Sequence, residues 1–171
     1  RNGPSIFPTT SLALRARAQV AESFYIQSAV FDAVPGDPQK PNGTRIGYQP
    51  EEGRIFISEF GWLNSQGTEV NSKIAFGCWG YSTTFDHLSR TDANGDPIQG
   101  ASTGYYMIGE LKITSRLAGF IRYGEASDDV NQIKSNLSGG FVYSGLVPMR
   151  PDDQLGVAFT TATNGSPYME S

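Results

Sequence analysis

The chain has 171 residues, of which 38% are hydrophobic, 18% charged and 12% aromatic, and its formal net charge is −4 at pH 7. This length permits one domain with a full core, and the apolar and aromatic content excludes an intrinsically disordered chain. The acidic balance excludes the basic surface that a nucleic-acid partner requires, and the single cysteine, Cys78, excludes an internal disulfide framework.

Eight segments alternate apolar and polar residues with the period of two that is typical of a β-strand. In the seventh, for example, Leu137 and Phe141 fall on one face, and Asn136 and Ser138 on the other. No window shows a helical stripe, and 20 glycines and 10 prolines are typical of short strands separated by turns. The pattern predicts an all-β, antiparallel fold with strands at 12–20, 24–32, 54–62, 73–81, 105–113, 117–123, 132–143 and 154–161.

The predicted connectors differ in length. Residues 21–23 and 114–116 form tight turns, whereas 33–53 and 82–104 form long loops, and the other three connectors are intermediate. Short turns at one end of the strands and longer loops at the other are typical of an outer-membrane β-barrel. In the last connector, Arg150 and Asp153 predict a turn braced by charge pairing.

The two faces of the predicted strands support this interpretation. The polar face carries only one or two charges per strand, whereas a water-soluble sandwich usually exposes many lysines and glutamates. The apolar face often ends in an aromatic residue, which suits the interface between lipid and water; examples are Phe24, Trp62, Tyr105, Tyr123 and Tyr143. We therefore predict that the apolar face contacts lipid and the polar face lines a lumen. A soluble β-type carbohydrate-binding module remains the alternative.

Charged and aromatic side chains on the polar face are the candidate binding residues. Guanidinium and carboxylate groups offer fixed hydrogen bonds to sugar hydroxyls, and an aromatic ring stacks on the apolar face of a pyranose. Tyr25, Tyr81 and Tyr106 share these faces or their ends. An internal salt-bridge network that braces the wall is an equally weighted reading. The predicted lining residues are Arg15, Arg17, Glu59, Lys73, Trp79, Glu110 and Arg122.

No motif for catalysis, for a cofactor or for a resident metal stands out. The one histidine, His87, is predicted to be a solvated loop residue rather than a catalytic base. Asp92, Asn94 and Asp96 have the opening spacing of a calcium loop, but Pro97 stands where that loop requires glycine. A turn on Asn94-Gly95 is the better interpretation, with weak calcium binding as an alternative.

The stretch from residue 128 to 159 contains a Gly-Gly pair at 139–140, the sequence YSGL at 143–146 and the sequence RPDDQLG at 150–156. These pieces resemble the carbohydrate-selective porins of the OprB family, with Asp153 as the matching acid of the third. Three other segments are similar to the same family, namely 24–38, 73–86 and 117–127. The resemblance therefore covers most of the chain.

The resemblance implies a bacterial outer-membrane barrel of sixteen antiparallel strands. It also implies a homotrimer in contact with outer-membrane lipid that passes monosaccharides such as glucose by facilitated diffusion, with no enzymatic activity. Eight predicted strands are half of such a barrel. We therefore expect residues 1–171 to be a single barrel segment internal to a longer porin chain. A closed eight-stranded barrel without a pore is the rival interpretation.

Overall fold

The computed structural model describes residues 11–34, 53–66 and 69–170. Its strands form one antiparallel sheet in which every strand pairs with its neighbours in the chain. The strands are β1 (Ala13–Ala21), β2 (Phe24–Asp32), β3 (Arg54–Gln66), β4 (Glu69–Thr91), β5 (Pro97–Lys112), β6 (Leu117–Ala126), β7 (Ile133–Ser144) and β8 (Gln154–Asn164). A helix, α1 (Ser166–Glu170), follows. None of the helices in the described ranges is long and apolar enough to cross a membrane.

The eight predicted strands and their order are confirmed, but the predicted loop 82–104 is wrong. β4 and β5 continue through most of this segment as one extended hairpin, with register shifts between Gly80 and Thr84 and between Asp86 and Thr91. Exposed side chains lie on both faces of its outer part, so the sequence there lacks the alternation that marks the other strands. Most of the predicted connector 33–53 lies outside the described residues.

The tip of the extended hairpin is the turn predicted on Asn94-Gly95. The Asp92 carboxylate accepts hydrogen bonds from the backbone N–H of Asn94 at 2.8 Å and of Asp96 at 3.0 Å. Gly95 has a φ of 88°, a backbone conformation that favours glycine. The turn is therefore confirmed. The described residues contain no group of three or more His, Cys, Asp or Glu side chains that could hold a metal ion.

The segment between β6 and β7 packs against the extended hairpin. The Leu88 N–H donates to the Asp129 carbonyl at 2.8 Å, and the Asn131 amide donates to the Ser102 hydroxyl, which is 0% exposed. The His87 imidazole is only 7% exposed, and its Nε2 lies 3.2 Å from Asp129 Oδ1. The prediction of a solvated loop histidine is therefore wrong, because tertiary packing covers a side chain that sequence alone places in a polar segment.

The cross-strand register aligns the apolar positions of all eight strands on one face. Ile121 lies opposite Gly139, which lies opposite Phe159, and the same face continues through Phe60 and Phe76 on β3 and β4. Twenty-seven large hydrophobic residues are exposed among those described, and most of them lie on this face. A contiguous apolar surface of this extent is unlike that of a soluble monomer.

The sheet is open within the described residues. β1 pairs with β2 and β8 pairs with β7, but β1 and β8 do not pair with each other. Every residue of both strands is exposed. The rival interpretation of a closed eight-stranded barrel is therefore wrong.

The turn between β7 and β8 is braced as predicted. Gly145 has a φ of 68°, and its N–H donates to the Asp153 carbonyl at 2.8 Å. Arg150 contacts the Asp153 carboxylate twice, through Nε at 2.8 Å and through Nη2 at 3.1 Å. This bidentate pair fixes the turn at the end of the sheet where the short connections lie.

Candidate functional site

A buried carboxylate lies at the centre of the polar face. Glu59 on β3 is 5% exposed, and its Oε1 accepts hydrogen bonds from the Tyr25 hydroxyl at 2.6 Å and the Gln27 amide at 2.9 Å. Its Oε2 accepts one from the Tyr106 hydroxyl at 2.9 Å, and Lys73 Nζ lies 3.6 Å from Oε1. We call these five residues the Glu59 cluster. It joins β2, β3, β4 and β5 through side chains.

Two glycines allow the cluster to form. The register places Gly61 opposite Tyr25 and Gly77 opposite Tyr106. A Cβ at either glycine would lie closer than 3.0 Å to the facing tyrosine ring, a distance that real Cβ atoms essentially never show. Because these positions lack a side chain, each ring lies flat across the neighbouring strand, and its hydroxyl reaches Glu59.

The two arginines of β1 extend the cluster towards the edge of the sheet. The Arg17 guanidinium lies 4.1 Å from the centroid of the Tyr25 ring, which is cation–π geometry. Arg15 Nη2 donates to the Gln27 side-chain carbonyl, which in turn orients the Gln27 amide towards Glu59. Within the described ranges neither guanidinium forms an ion pair.

A second group of charges lies nearer the short-turn end of the strands. Arg122 Nη2 contacts Glu110 Oε1 at 3.1 Å, and both side chains stay open to solvent, at 55% and 43% exposed. The Arg122 guanidinium also lies 5.3 Å from the centroid of the Phe120 ring. These side chains line a groove of about 460 Å³. We call it the rim groove, and its charged and aromatic lining residues are Lys73, Glu110, Lys112, Arg116, Phe120 and Arg122.

Trp79 lies apart from both groups, towards the extended hairpin. Its ring covers Gly104 and meets the Tyr81 ring edge-to-face at 6.0 Å. Tyr81 in turn meets Phe85 edge-to-face at 5.1 Å. The predicted lining residues therefore do not form one site. Glu59 and Lys73 meet in the cluster, Glu110 and Arg122 pair in the rim groove, and Trp79 begins an aromatic row that leads into the hairpin.

The sequence analysis missed two residues of the polar face, one in the rim groove and one in the Glu59 cluster. The first is Phe120, which lies two residues before Arg122 and therefore on the same face of β6. The signal that could have found it is an aromatic residue two positions from a charged one in a predicted strand. The second contributor is Gln27, which the sequence analysis did not single out. Its bridge between Arg15 and Glu59 depends on the pairing of β1, β2 and β3, which no local pattern reveals.

The Glu59 cluster, the rim groove and the aromatic row lie at different levels along the polar face of the sheet. Donors, acceptors and rings are distributed along the polar face, and the exposed ones can contact a hydroxyl-rich ring. The sequence matches the family described as "Carbohydrate-selective porin, OprB family" over residues 1–165. The chain belongs to the OprB family.

A solved structure of the same fold, titled "High pH structure of Pseudomonas putida OprB", aligns with this OprB-family chain at a TM-score of 0.77 and 19% sequence identity. The alignment covers 96% of this chain and 42% of that porin, so the chain spans less than half of the porin's length. A comparison with curated protein sequences found no match.

The OprB family is one of outer-membrane porins. The eight strands are a segment of a transmembrane barrel wall. In outer-membrane barrels generally, the apolar outer face contacts lipid and the polar inner face borders the lumen, and we therefore call the polar face of this sheet the luminal face.

Proposed function

We propose that the protein passes monosaccharides of the glucose type through its lumen by facilitated diffusion. The observation that carries this proposal is the rim groove, where the exposed Glu110–Arg122 pair lies beside the Phe120 ring on the luminal face of an OprB-family chain. A charged fork and an aromatic surface together match a pyranose, whose hydroxyls lie around an apolar ring face.

The two groups of luminal charges have different roles in this proposal. The acceptor oxygens of Glu59 are occupied by two tyrosines, an amide and an ammonium, and its side chain is almost inaccessible. Glu59 therefore braces the wall, as the salt-bridge reading of the sequence suggested. We assign the sugar contacts to the side chains that are more exposed than Glu59, which are Arg15, Arg17, Lys73, Trp79, Glu110 and Arg122. Such contacts are individually weak, because a transport path must release what it binds.

The proposal extends to the whole barrel. We infer that residues 1–171 form a single segment of a longer porin chain and that further strands pair with β1 and β8, whose outer edges have no partner strand among the described residues. Completion of the family's sixteen-stranded barrel would remove both edges. Outer-membrane lipid is then the partner of the apolar face. A homotrimer follows from the family resemblance alone.

The proposal is tested by measuring conductance of the purified porin in planar bilayers while glucose is added. We expect open channels whose ion current falls as glucose rises, because a sugar in the lumen displaces ions. A polymer too large to enter the lumen serves as the control for viscosity and should leave the current unchanged. The absence of channels, or a current that does not respond to glucose, would refute the proposal.

A further inference from the structure

The turn between β7 and β8, residues 145–153, exposes large apolar side chains. Leu146, Val147 and Met149 are 59%, 48% and 100% exposed, and we call these three residues the apolar turn patch. The tight turns 21–23 and 114–116, at the same end of the sheet, contain no large apolar residue. The patch is therefore a property of this turn and not of the short connections in general.

The backbone of the turn holds Met149 in its exposed position. Its φ of 66° makes Met149 the one non-glycine residue in the described ranges with a positive φ, a conformation that is strained for a bulky side chain. The Arg150 N–H donates to the Val147 carbonyl at 3.1 Å, and the bidentate pair of Arg150 with Asp153 fixes the rest of the turn. Backbone strain that is maintained by surrounding contacts often marks a functional segment.

The apolar turn patch adjoins the apolar face of the sheet. Tyr143 and Leu155 lie opposite each other on that face, where β7 and β8 meet the turn, and they are 37% and 57% exposed. Their neighbours on the polar face, Ser144 and Gln154, line the rim groove, whereas the patch residues do not. The patch therefore belongs with the apolar face rather than with the luminal groove.

The polar groups of the turn suit the boundary between hydrocarbon and water. Pro148 and Pro151 have no backbone N–H, so the turn has fewer donors that lose hydrogen bonds where water is excluded. Arg150 and Asp153 neutralise each other, and the stem of an arginine can cover apolar surface while its charged end stays in water. Asp152 is exposed and is the remaining charge of the turn. An exposed apolar patch with a polar rim marks an interaction site for a protein or a membrane.

We propose that the apolar turn patch anchors the barrel in the periplasm-facing leaflet of the outer membrane, with its three side chains inserted where acyl chains meet headgroups. Lipid is the occupant because the patch adjoins the face that contacts lipid, and because Tyr143 beside it is an aromatic residue of the kind enriched at that level. Short turns lie at the periplasmic end of outer-membrane barrels, which identifies the leaflet. This inference uses the proposed lipid contact of the apolar face and is independent of sugar passage.

The depth of a spin label in the membrane tests the proposal. A nitroxide is attached to Met149→Cys, with Cys78 replaced by serine, and the purified porin is reconstituted in phospholipid vesicles. Oxygen concentrates among acyl chains, whereas a water-soluble nickel chelate stays outside them. We expect the ratio of oxygen to nickel collisions to be several times higher at Met149→Cys than at Ser115→Cys, the matched control in a polar turn at the same end of the sheet.

Two further labels make the result decisive. Val147→Cys repeats the measurement at a residue without a positive φ, so a local change of backbone at Met149 does not decide the outcome. Phe159→Cys, in the middle of the apolar face, is the reference for lipid. If Phe159→Cys is protected from nickel while Met149→Cys and Val147→Cys are as accessible as Ser115→Cys, the turn faces water, the lumen or a periplasmic protein. That outcome would overturn the inference and leave the lipid contact of the apolar face intact. Nickel access at Phe159→Cys as well would refute both.

Discussion

Replacing Ile121 with arginine should block insertion of the porin into the outer membrane. Ile121 lies near the middle of β6 on the apolar face, and its side chain is 57% exposed in the sheet. An arginine that faces lipid near the bilayer midplane costs about 2–4 kcal/mol. We expect a fall of at least several-fold in folded protein recovered from outer membranes, measured by the heat-dependent shift in gel mobility that folded barrels show.

Phe120→Arg is the matched control for this prediction. It places the same side chain one residue earlier, on the luminal face, where water and Glu110 receive the charge. The yield of folded protein should remain close to that of the unmodified porin. If Phe120→Arg prevented insertion and Ile121→Arg did not, the assignment of the two faces would be inverted.

Replacing Glu59 with alanine should produce the largest loss of stability among the luminal charges. The substitution removes the acceptor for Tyr25, Gln27 and Tyr106 and the partner of Lys73. Breaking a buried pair by removing one partner typically costs about 3–5 kcal/mol. Here the Tyr25 hydroxyl in particular would be left without its acceptor, because Tyr25 is only 1% exposed. The loss should appear as a lower midpoint of unfolding in urea, with the porin in detergent or lipid.

Glu110→Ala provides the comparison. Glu110 also pairs with a cation on the luminal face, but both members of that pair are largely exposed, and such pairs contribute about 0–1 kcal/mol. We expect its unfolding midpoint to remain close to that of the unmodified porin. Equal effects of the two substitutions would mean that Glu59 does not brace the wall.

The strands were predictable because each must satisfy two different environments. In outer-membrane barrels, lipid and water impose opposite requirements on adjacent residues of a strand. The alternation of Leu137 and Phe141 with Asn136 and Ser138 is therefore visible in the sequence. The same requirement made Glu59, Glu110 and Arg122 recognisable as residues of the polar face. The braced turn at Arg150 could also be predicted, because its contacts join residues close in sequence.

Which of the charged residues on the polar face are buried and which are exposed could not be predicted in the same way. Whether Glu59 is buried depends on Gly61 and Gly77, which lie on two strands and matter only through their register with Tyr25 and Tyr106. A single sequence gives the parity of each strand but not this pairing. For that reason Glu59 and Glu110 were indistinguishable before the fold was known.

The extended hairpin was missed for a related reason. Its segment around His87 is rich in polar residues and contains no clear period of two, so it is typical of a loop. In the structure, cross-strand hydrogen bonds and the packed segment at Val130 stabilise it as strand. Neither contact leaves a signal within the segment itself.

The central claim, that one face of this wall meets lipid and the other a water-filled lumen, is tested most directly by thiol labelling of two neighbouring residues. Phe159→Cys and Thr160→Cys, each with Cys78 replaced by serine, place a thiol on opposite faces of β8. A charged, membrane-impermeant methanethiosulfonate should modify Thr160→Cys rapidly and lower its conductance, and should leave Phe159→Cys unmodified. Rapid modification of Phe159→Cys together with an inert Thr160→Cys would contradict the account.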